Sequence, residues 1–97
     1  MKTTKIADKI IMFAVQQYEQ SGTSDIADDL FNLFPNESNE KIESAVKMLE
    51  HDGLIDVEWA DDTVYELSIN PEAIRNTDNN SLLKKGYRFL KEIKDWL

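Results

Sequence analysis

The sequence contains no cysteine, only three glycines and two prolines, and a single histidine among its 97 residues. Without cysteine, a disulfide scaffold, thiol catalysis and any zinc site with cysteine ligands are excluded. The few glycines form no phosphate-binding loop, and no acidic segment has the spacing of a calcium-binding loop. The lone His51 lacks an oriented partner, since the adjacent Asp52 would point about 100° away on a helix. We therefore expect no enzyme, metal site or cofactor.

Positive charge is scarce, with 11 Lys and Arg against 19 Asp and Glu, for a formal net charge of -8. The deficit is uneven along the chain. Residues 21–80 contain three basic and 15 acidic residues, whereas residues 1–20 and 81–97 carry net charges of +1 and +3. A negative surface disfavours passive attraction to phosphate backbones and to anionic lipid.

Long hydrophobic runs are also missing. The apolar stretch near the N-terminus is interrupted by Asp8, Lys9 and Gln16, unlike a signal peptide or a membrane span. A chain of this length with 41% hydrophobic residues has room for one core. We expect a single cytoplasmic domain over residues 1–97 with no membrane partner and no small-molecule substrate.

Hydrophobic periodicity predicts three helices in the first half of the chain. The first runs from about Thr4 to Gln20, with apolar residues at Ile6, Ile10, Phe13 and Ala14, widened by Ala7, Ile11, Val15 and Tyr18. The second is capped by Ser24 and ends near Leu33, before Pro35. The third is capped by Asn36 or Ser38 and ends at Gly53, with the apolar stripe Ile42, Ala45, Val46 and Leu49.

A β-hairpin is predicted directly after Gly53, because apolar and polar residues alternate on both sides of Ala60-Asp61-Asp62. Its expected apolar face consists of Ile55, Val57, Trp59, Tyr65, Leu67 and Ile69. A lone hairpin is marginally stable in water, so this face should pack on the helices. Residues 76–80 are expected to form a mobile connection, and residues 81–97 a last amphipathic helix.

The segment Lys47-Met48-Leu49-Glu50-His51-Asp52-Gly53-Leu54-Ile55 resembles the junction of winged helix-turn-helix domains, where the recognition helix ends at a glycine and enters the wing hairpin. This resemblance covers roughly residues 4–70. The carboxyl end, residues 87–97, is similar to that of the uncharacterised YjcQ family of bacterial and phage proteins. The fold class is therefore expected to be α+β, a winged helix-turn-helix with an added C-terminal helix.

The winged-helix resemblance implies a DNA-binding transcriptional regulator, and the similarity to the YjcQ family implies a phage or prophage setting. Its groove contacts would come from the third helix and the turn before it, at Asn36, Ser38, Asn39, Lys41, Ser44 and Lys47. Phosphate contacts would come from a basic stripe at Lys84, Arg88 and Lys91, although a solvated helix face with ion pairs is the more usual explanation of such a stripe.

The acidity of the same region favours an alternative function. Glu37, Glu40 and Glu43 lie on or beside the recognition helix, and the wing carries Glu58, Asp61 and Asp62 where DNA-binding wings usually carry basic residues. The face would then bind protein, as a dimerisation module, an anti-repressor or a DNA mimic. Dimer contacts are expected at Phe89, Ile93 and Trp96, unless these residues belong to the intramolecular core.

Overall fold

The computed structural model describes residues 1–21 and 25–70, which form an α+β fold. Helix α1 spans Thr3–Ser21, α2 spans Ala27–Leu30 and continues as a 3₁₀ turn over Phe31–Leu33, and α3 spans Asn39–His51. Strands β1 (Ile55–Ala60) and β2 (Thr63–Ile69) form an antiparallel hairpin. The predicted order of three helices and a hairpin is confirmed for these residues. The expected cap Ser24, the connection 76–80 and the helix 81–97 lie outside them.

Helix α1 supplies much of the hydrophobic core. Its buried residues follow the predicted spacing: Ile6, Ala7, Ile10, Ile11, Ala14 and Val15. Phe13 is partly buried against this cluster. Tyr18 was expected to widen the apolar face, but it is 40% exposed, so the buried face ends before the last turn of the helix.

Helix α2 is shorter than its hydrophobic pattern predicts. Only four residues are α-helical, and the three that follow tighten into a 3₁₀ turn closed by the Phe34 N–H, which donates to the Phe31 carbonyl at 3.3 Å. The cause is Pro35, because the residue before a proline is disfavoured in the helical region. Phe34 accordingly has φ -132° and ψ 65°, and its side chain is buried in the core.

Helix α3 begins and ends as the sequence predicts. Of the two candidate caps, Ser38 is the one used: its Oγ accepts a hydrogen bond from the Lys41 N–H at 3.2 Å. After the helix, Gly53 takes φ 75°, a left-handed value that a glycine adopts at little steric cost. The predicted stripe Ile42, Ala45, Val46 and Leu49 is fully buried. The chain therefore passes directly from α3 into β1.

The hairpin turn consists of two residues, Asp61 and Asp62, with φ 52° and 61°. Positive φ at both positions defines a type I′ turn, whose twist matches that of the flanking strands. Ala60 then pairs with Thr63 and Trp59 with Val64, but Glu58 pairs with Glu66. Tyr65 is therefore the extra residue of a β-bulge.

The bulge corrects the predicted apolar face of the hairpin. Tyr65 was expected inside, but it is 70% exposed, while Val64 beside it is 7% exposed. Strict alternation would place Val64 and Leu67 on opposite faces. The extra residue changes the phase of β2, so that both side chains reach the core.

The chain before α2 is joined to the outer edge of β2. The Ile26 N–H donates to the Leu67 carbonyl at 2.9 Å, and the Leu67 N–H donates to Asp25 Oδ1 at 3.2 Å. The same carboxylate oxygen accepts from the Ala27 N–H at 3.1 Å. Asp25 thus holds the start of α2 against the hairpin.

Within residues 1–21 and 25–70, no helix has both the length and the hydrophobicity needed to cross a membrane.

Candidate functional site

The turn before α3 and the first turn of the helix carry four of the predicted contact residues. Asn36 and Asn39 are exposed there. Ser38 is also exposed, but its oxygen is engaged as the helix cap. Lys41 places its Nζ 3.7 Å from Glu37 Oε2, one turn back along the chain. At the N-terminal end of α3, the side-chain amides of Asn36 and Asn39 are therefore exposed, whereas Ser38 and Lys41 have partners within the chain.

Glu37 is the centre of a small charged cluster. Its Oε1 accepts a hydrogen bond from the N-terminal ammonium of Met1 at 2.8 Å. This contact joins residue 1 to the turn before α3. That hydrogen bond, supported by the charges of the ammonium and of Lys41, lowers the pKa of the Glu37 carboxyl below its ordinary value. Glu37 is consequently ionised and already paired with two cations.

The middle of α3 carries the other two predicted contact residues. Ser44 is exposed, yet its Oγ donates to the Glu40 carbonyl at 2.9 Å, a common arrangement for a serine within a helix. Lys47 is exposed along its stem and places its Nζ 5.6 Å from the centroid of the Trp59 ring. This is cation–π distance, so the ammonium is held by the chain's own hairpin.

Trp59 is fixed from both sides. Its indole Nε1–H donates to Glu50 Oε1 at 3.3 Å, and its half-buried ring packs against the hydrophobic core. Helix α3 thus contributes a carboxylate to the edge of the ring and an ammonium to its face. The ring connects β1 to the outward side of the helix.

An open groove of about 440 Å³ lies between α3 and the hairpin. Its walls are Glu43 and Lys47 on the helix and Trp59 and Asp62 on the hairpin. The charged groups are two carboxylates and one ammonium, which already lies over Trp59. The groove is consequently suited to receive a cation.

The surrounding surface has the same sign of charge. Residues 25–70 contain two lysines and 13 acidic residues. Both lysines, Lys41 and Lys47, lie on α3 and have the intramolecular partners described above. The outer face of the hairpin adds Asp56, Glu58 and Glu66, and the last two are directly opposed across the strands. Within residues 25–70, each lysine therefore already has a partner in the chain, and exposed His51 is the remaining basic side chain.

Other predicted features of this region are placed as follows. His51 is exposed at the last position of α3. Met48, on the same helix, is half-buried against the core. In the described part of the chain, no three His, Cys, Asp or Glu side chains are arranged to hold a metal ion. The phosphate candidates Lys84, Arg88 and Lys91 and the dimer candidates Phe89, Ile93 and Trp96 lie outside the described residues.

Sequence reasoning missed Trp59 as a member of this face, because its alternation in β1 indicated only a core residue. The register of the hairpin could have indicated that Trp59 belongs to this face. Trp59 lies near the turn, beyond the buried part of the strand, and there its ring can reach the outward side of α3. Glu43 was noticed only as a source of repulsion, yet it forms a wall of the groove.

No known protein family, curated protein or solved structure matches this chain. The geometry and charge of the face between α3 and the hairpin are therefore what indicates function.

Proposed function

We propose that this chain is a small regulatory protein with a winged helix-turn-helix fold, whose face between α3 and the hairpin binds a basic surface of a partner protein. Three features support this fold: the order of the elements, the direct passage from α3 into β1 at Gly53, and the edge contact of Ile26 with β2. In such a domain α3 and the hairpin would be the groove-reading helix and the wing.

The groove carries the functional proposal. Its two carboxylates, Glu43 and Asp62, flank an aromatic ring that already holds an ammonium group. A DNA-binding face needs cations that hold the phosphates in register, because base readout depends on that positioning. Here both lysines of α3 contact partners within the chain, and the groove presents two carboxylates for one ammonium. A basic protein surface fits this arrangement, and a phosphate backbone is repelled by it.

The proposal extends to the role that the partner would have. An acidic face where other winged helices meet DNA can occupy the basic surface of a DNA-binding protein, as a DNA mimic or an anti-repressor. A phage or prophage setting for such a role rests on the sequence resemblance of residues 87–97 alone, because no family model matches the chain. Long-range attraction between the net charge of -8 and a basic partner would also accelerate their encounter.

DNA binding is the second candidate, and one observation favours it. Asn36 and Asn39 are exposed at the N-terminal end of α3, the end at which recognition helices contact base edges. Under this hypothesis the changes Ser44→Glu and Lys47→Glu, made together, abolish DNA binding, because two further carboxylates would face the phosphates.

Site-specific photocrosslinking in cells that express the chain tests the proposed function. A photoreactive benzoylphenylalanine replaces Ser44, which is exposed beside the groove, or Asn32, which is exposed on the 3₁₀ turn and serves as the control. We expect a discrete nuclease-resistant protein adduct from position 44 and none from position 32. Adducts with DNA at position 44, or identical protein adducts from both positions, would contradict the proposal.

A further inference from the structure

The groove between α3 and the hairpin has the features of a receptor for one particular basic side chain. Its floor is the Trp59 ring, which is held at its edge by the bond to Glu50 and leaves a face available to cations. Aromatic faces attract cations through their quadrupole. Lys47 occupies that face, which shows that a cation fits there.

The occupant Lys47 is replaceable. Its side chain is exposed, and among residues 1–21 and 25–70 the Trp59 ring is the contact that the structure gives its ammonium. Rotation about its side-chain bonds would return the ammonium to water at small cost. A guanidinium is a better ligand for the vacated position, because it is planar, weakly hydrated and able to stack on an aromatic ring while its N–H groups reach carboxylates.

The carboxylates of the groove are placed for such a ligand. Glu43 lies one helical turn before Lys47, and Asp62 lies at the hairpin turn on the other side of the groove. A guanidinium has five N–H donors, and its bonds to carboxylates are charge-assisted and directional. A volume of about 440 Å³ accepts this group together with part of the chain that carries it.

We propose that an arginine side chain of the basic partner enters this groove, stacks on Trp59 in place of Lys47 and is held by Glu43 and Asp62. This inference rests on the proposed function, because it names the side chain by which the same face recognises its partner. It commits the face to an arginine-bearing segment of another protein, and the experiments below distinguish this occupant from DNA and from a second copy of the chain.

Titration calorimetry with hexaarginine and hexalysine peptides at about 100 mM salt tests the inference on the full chain, because the peptides have equal charge and surface electrostatics is screened at that concentration. We expect hexaarginine to bind about fivefold tighter than hexalysine, from the stacking and fork geometry of the guanidinium. Trp59→Leu should remove this preference. Equal affinity of the two peptides, or no binding of hexaarginine, would overturn the inference.

Two double variants of equal charge keep the test independent of the folding of Trp59→Leu. Glu43→Gln with Asp62→Asn removes the carboxylates of the groove, and asparagine tolerates the positive φ at position 62. Glu58→Gln with Glu66→Gln removes the opposed pair on the outer face of the hairpin. We expect the first to weaken hexaarginine binding about tenfold and the second at most about twofold, since exposed charges outside the contact are screened. Equal effects would show general attraction to an acidic surface and overturn the inference.

The two proposals fail in different ways. A protein adduct at position 44 with no arginine preference would leave the proposed function standing and remove only the arginine groove. Adducts with DNA at position 44 would remove the proposed function itself. Sedimentation of the free chain tests a further outcome. If the chain dimerises, and if Glu43→Gln with Asp62→Asn abolishes the dimer, a second copy is the occupant and the arginine groove is overturned.

Discussion

The two faces of the hairpin show how differently fold and function are encoded in this chain. The inner face carries Ile55, Val64, Leu67 and Ile69, all buried against the helices. The outer face carries Asp56, Glu58 and Glu66, with two of these carboxylates directly opposed. Apolar burial accounts for the first face, whereas like charges in opposed positions destabilise a sheet. Packing of the hairpin therefore does not account for its acidic outer face, and the carboxylates that we connect with binding are Glu43 and Asp62 in the groove.

The largest expected effect comes from the inner face. Leu67→Ala should lower the free energy of unfolding by about 2–4 kcal/mol, because a fully buried leucine leaves a cavity. Tyr65→Ala, two residues away and 70% exposed, should change it by less than about 0.5 kcal/mol. Urea denaturation followed by circular dichroism measures both. Comparable losses in the two variants would mean that the bulge does not separate the faces.

The next effect concerns Asp25, which connects the hairpin edge to α2. Asp25→Ala should cost about 1–2 kcal/mol, because the N–H groups of Ala27 and Leu67 both lose their acceptor. Asp28→Ala removes the same charge from an exposed position in the first turn of α2 and is the matched control, with an expected cost below about 0.5 kcal/mol. Denaturation measures both free energies of unfolding. Equal losses in the two variants would mean that Asp25 acts through its charge and not through its two hydrogen bonds.

Reversing one charge on the outer face should stabilise the protein. Glu58→Lys places an ammonium opposite Glu66 and should raise the free energy of unfolding by about 0.5–1 kcal/mol. The double variant Glu58→Lys with Glu66→Lys restores opposed like charges, so we expect it to lose this gain. A thermal-unfolding cycle of the two single variants and the double variant isolates the pair. Additive effects would show that Glu58 and Glu66 do not interact.

The smallest expected effect is pH-dependent and lies beside the face, at Glu37. The folded-state pKa of this carboxyl is lowered by the N-terminal ammonium and Lys41, so its contribution to stability is present above the ordinary value of 4.5 and is lost as the pH falls through the lowered pKa. Glu37→Gln should therefore lower the melting temperature slightly near pH 7, and this difference should shrink as the pH falls through the lowered pKa towards pH 3. Melting curves across that range measure the difference, and a constant difference would contradict the pairing.

Sequence patterns predicted the parts of the fold that depend on neighbouring residues. The apolar stripe of α3, its Ser38 cap and its end at Gly53 follow from local spacing and local hydrogen bonding. The bulge at Tyr65 did not, because alternation assigns each residue of a strand to one face in turn. Assuming a two-residue turn at Asp61 and Asp62 would have indicated the bulge. Such a turn pairs Trp59 with Val64 and puts Val64 on the inner face. Leu67 can reach the same face only if β2 has one extra residue between Val64 and Leu67.

The candidate face was predictable in position and only partly in chemistry. Its location follows from α3 and the hairpin, and its acidity follows from residues 25–70. The pairing of Lys47 with Trp59, and of Met1 with Glu37, joins residues that are distant in sequence. The first of these contacts places Lys47, a predicted groove-contact residue, over the ring of Trp59. Such long-range pairs arise from packing and leave no local pattern.

The central claim is that the face between α3 and the hairpin binds protein and not DNA, and fluorescence anisotropy of labelled mixed-sequence duplex DNA tests it most directly. The titration is made at about 50 and 200 mM salt, because phosphate-driven binding weakens steeply over that range. We predict no rise in anisotropy at either concentration. Micromolar binding at the lower salt that collapses at the higher salt, and that Ser44→Glu with Lys47→Glu abolishes, would contradict the claim.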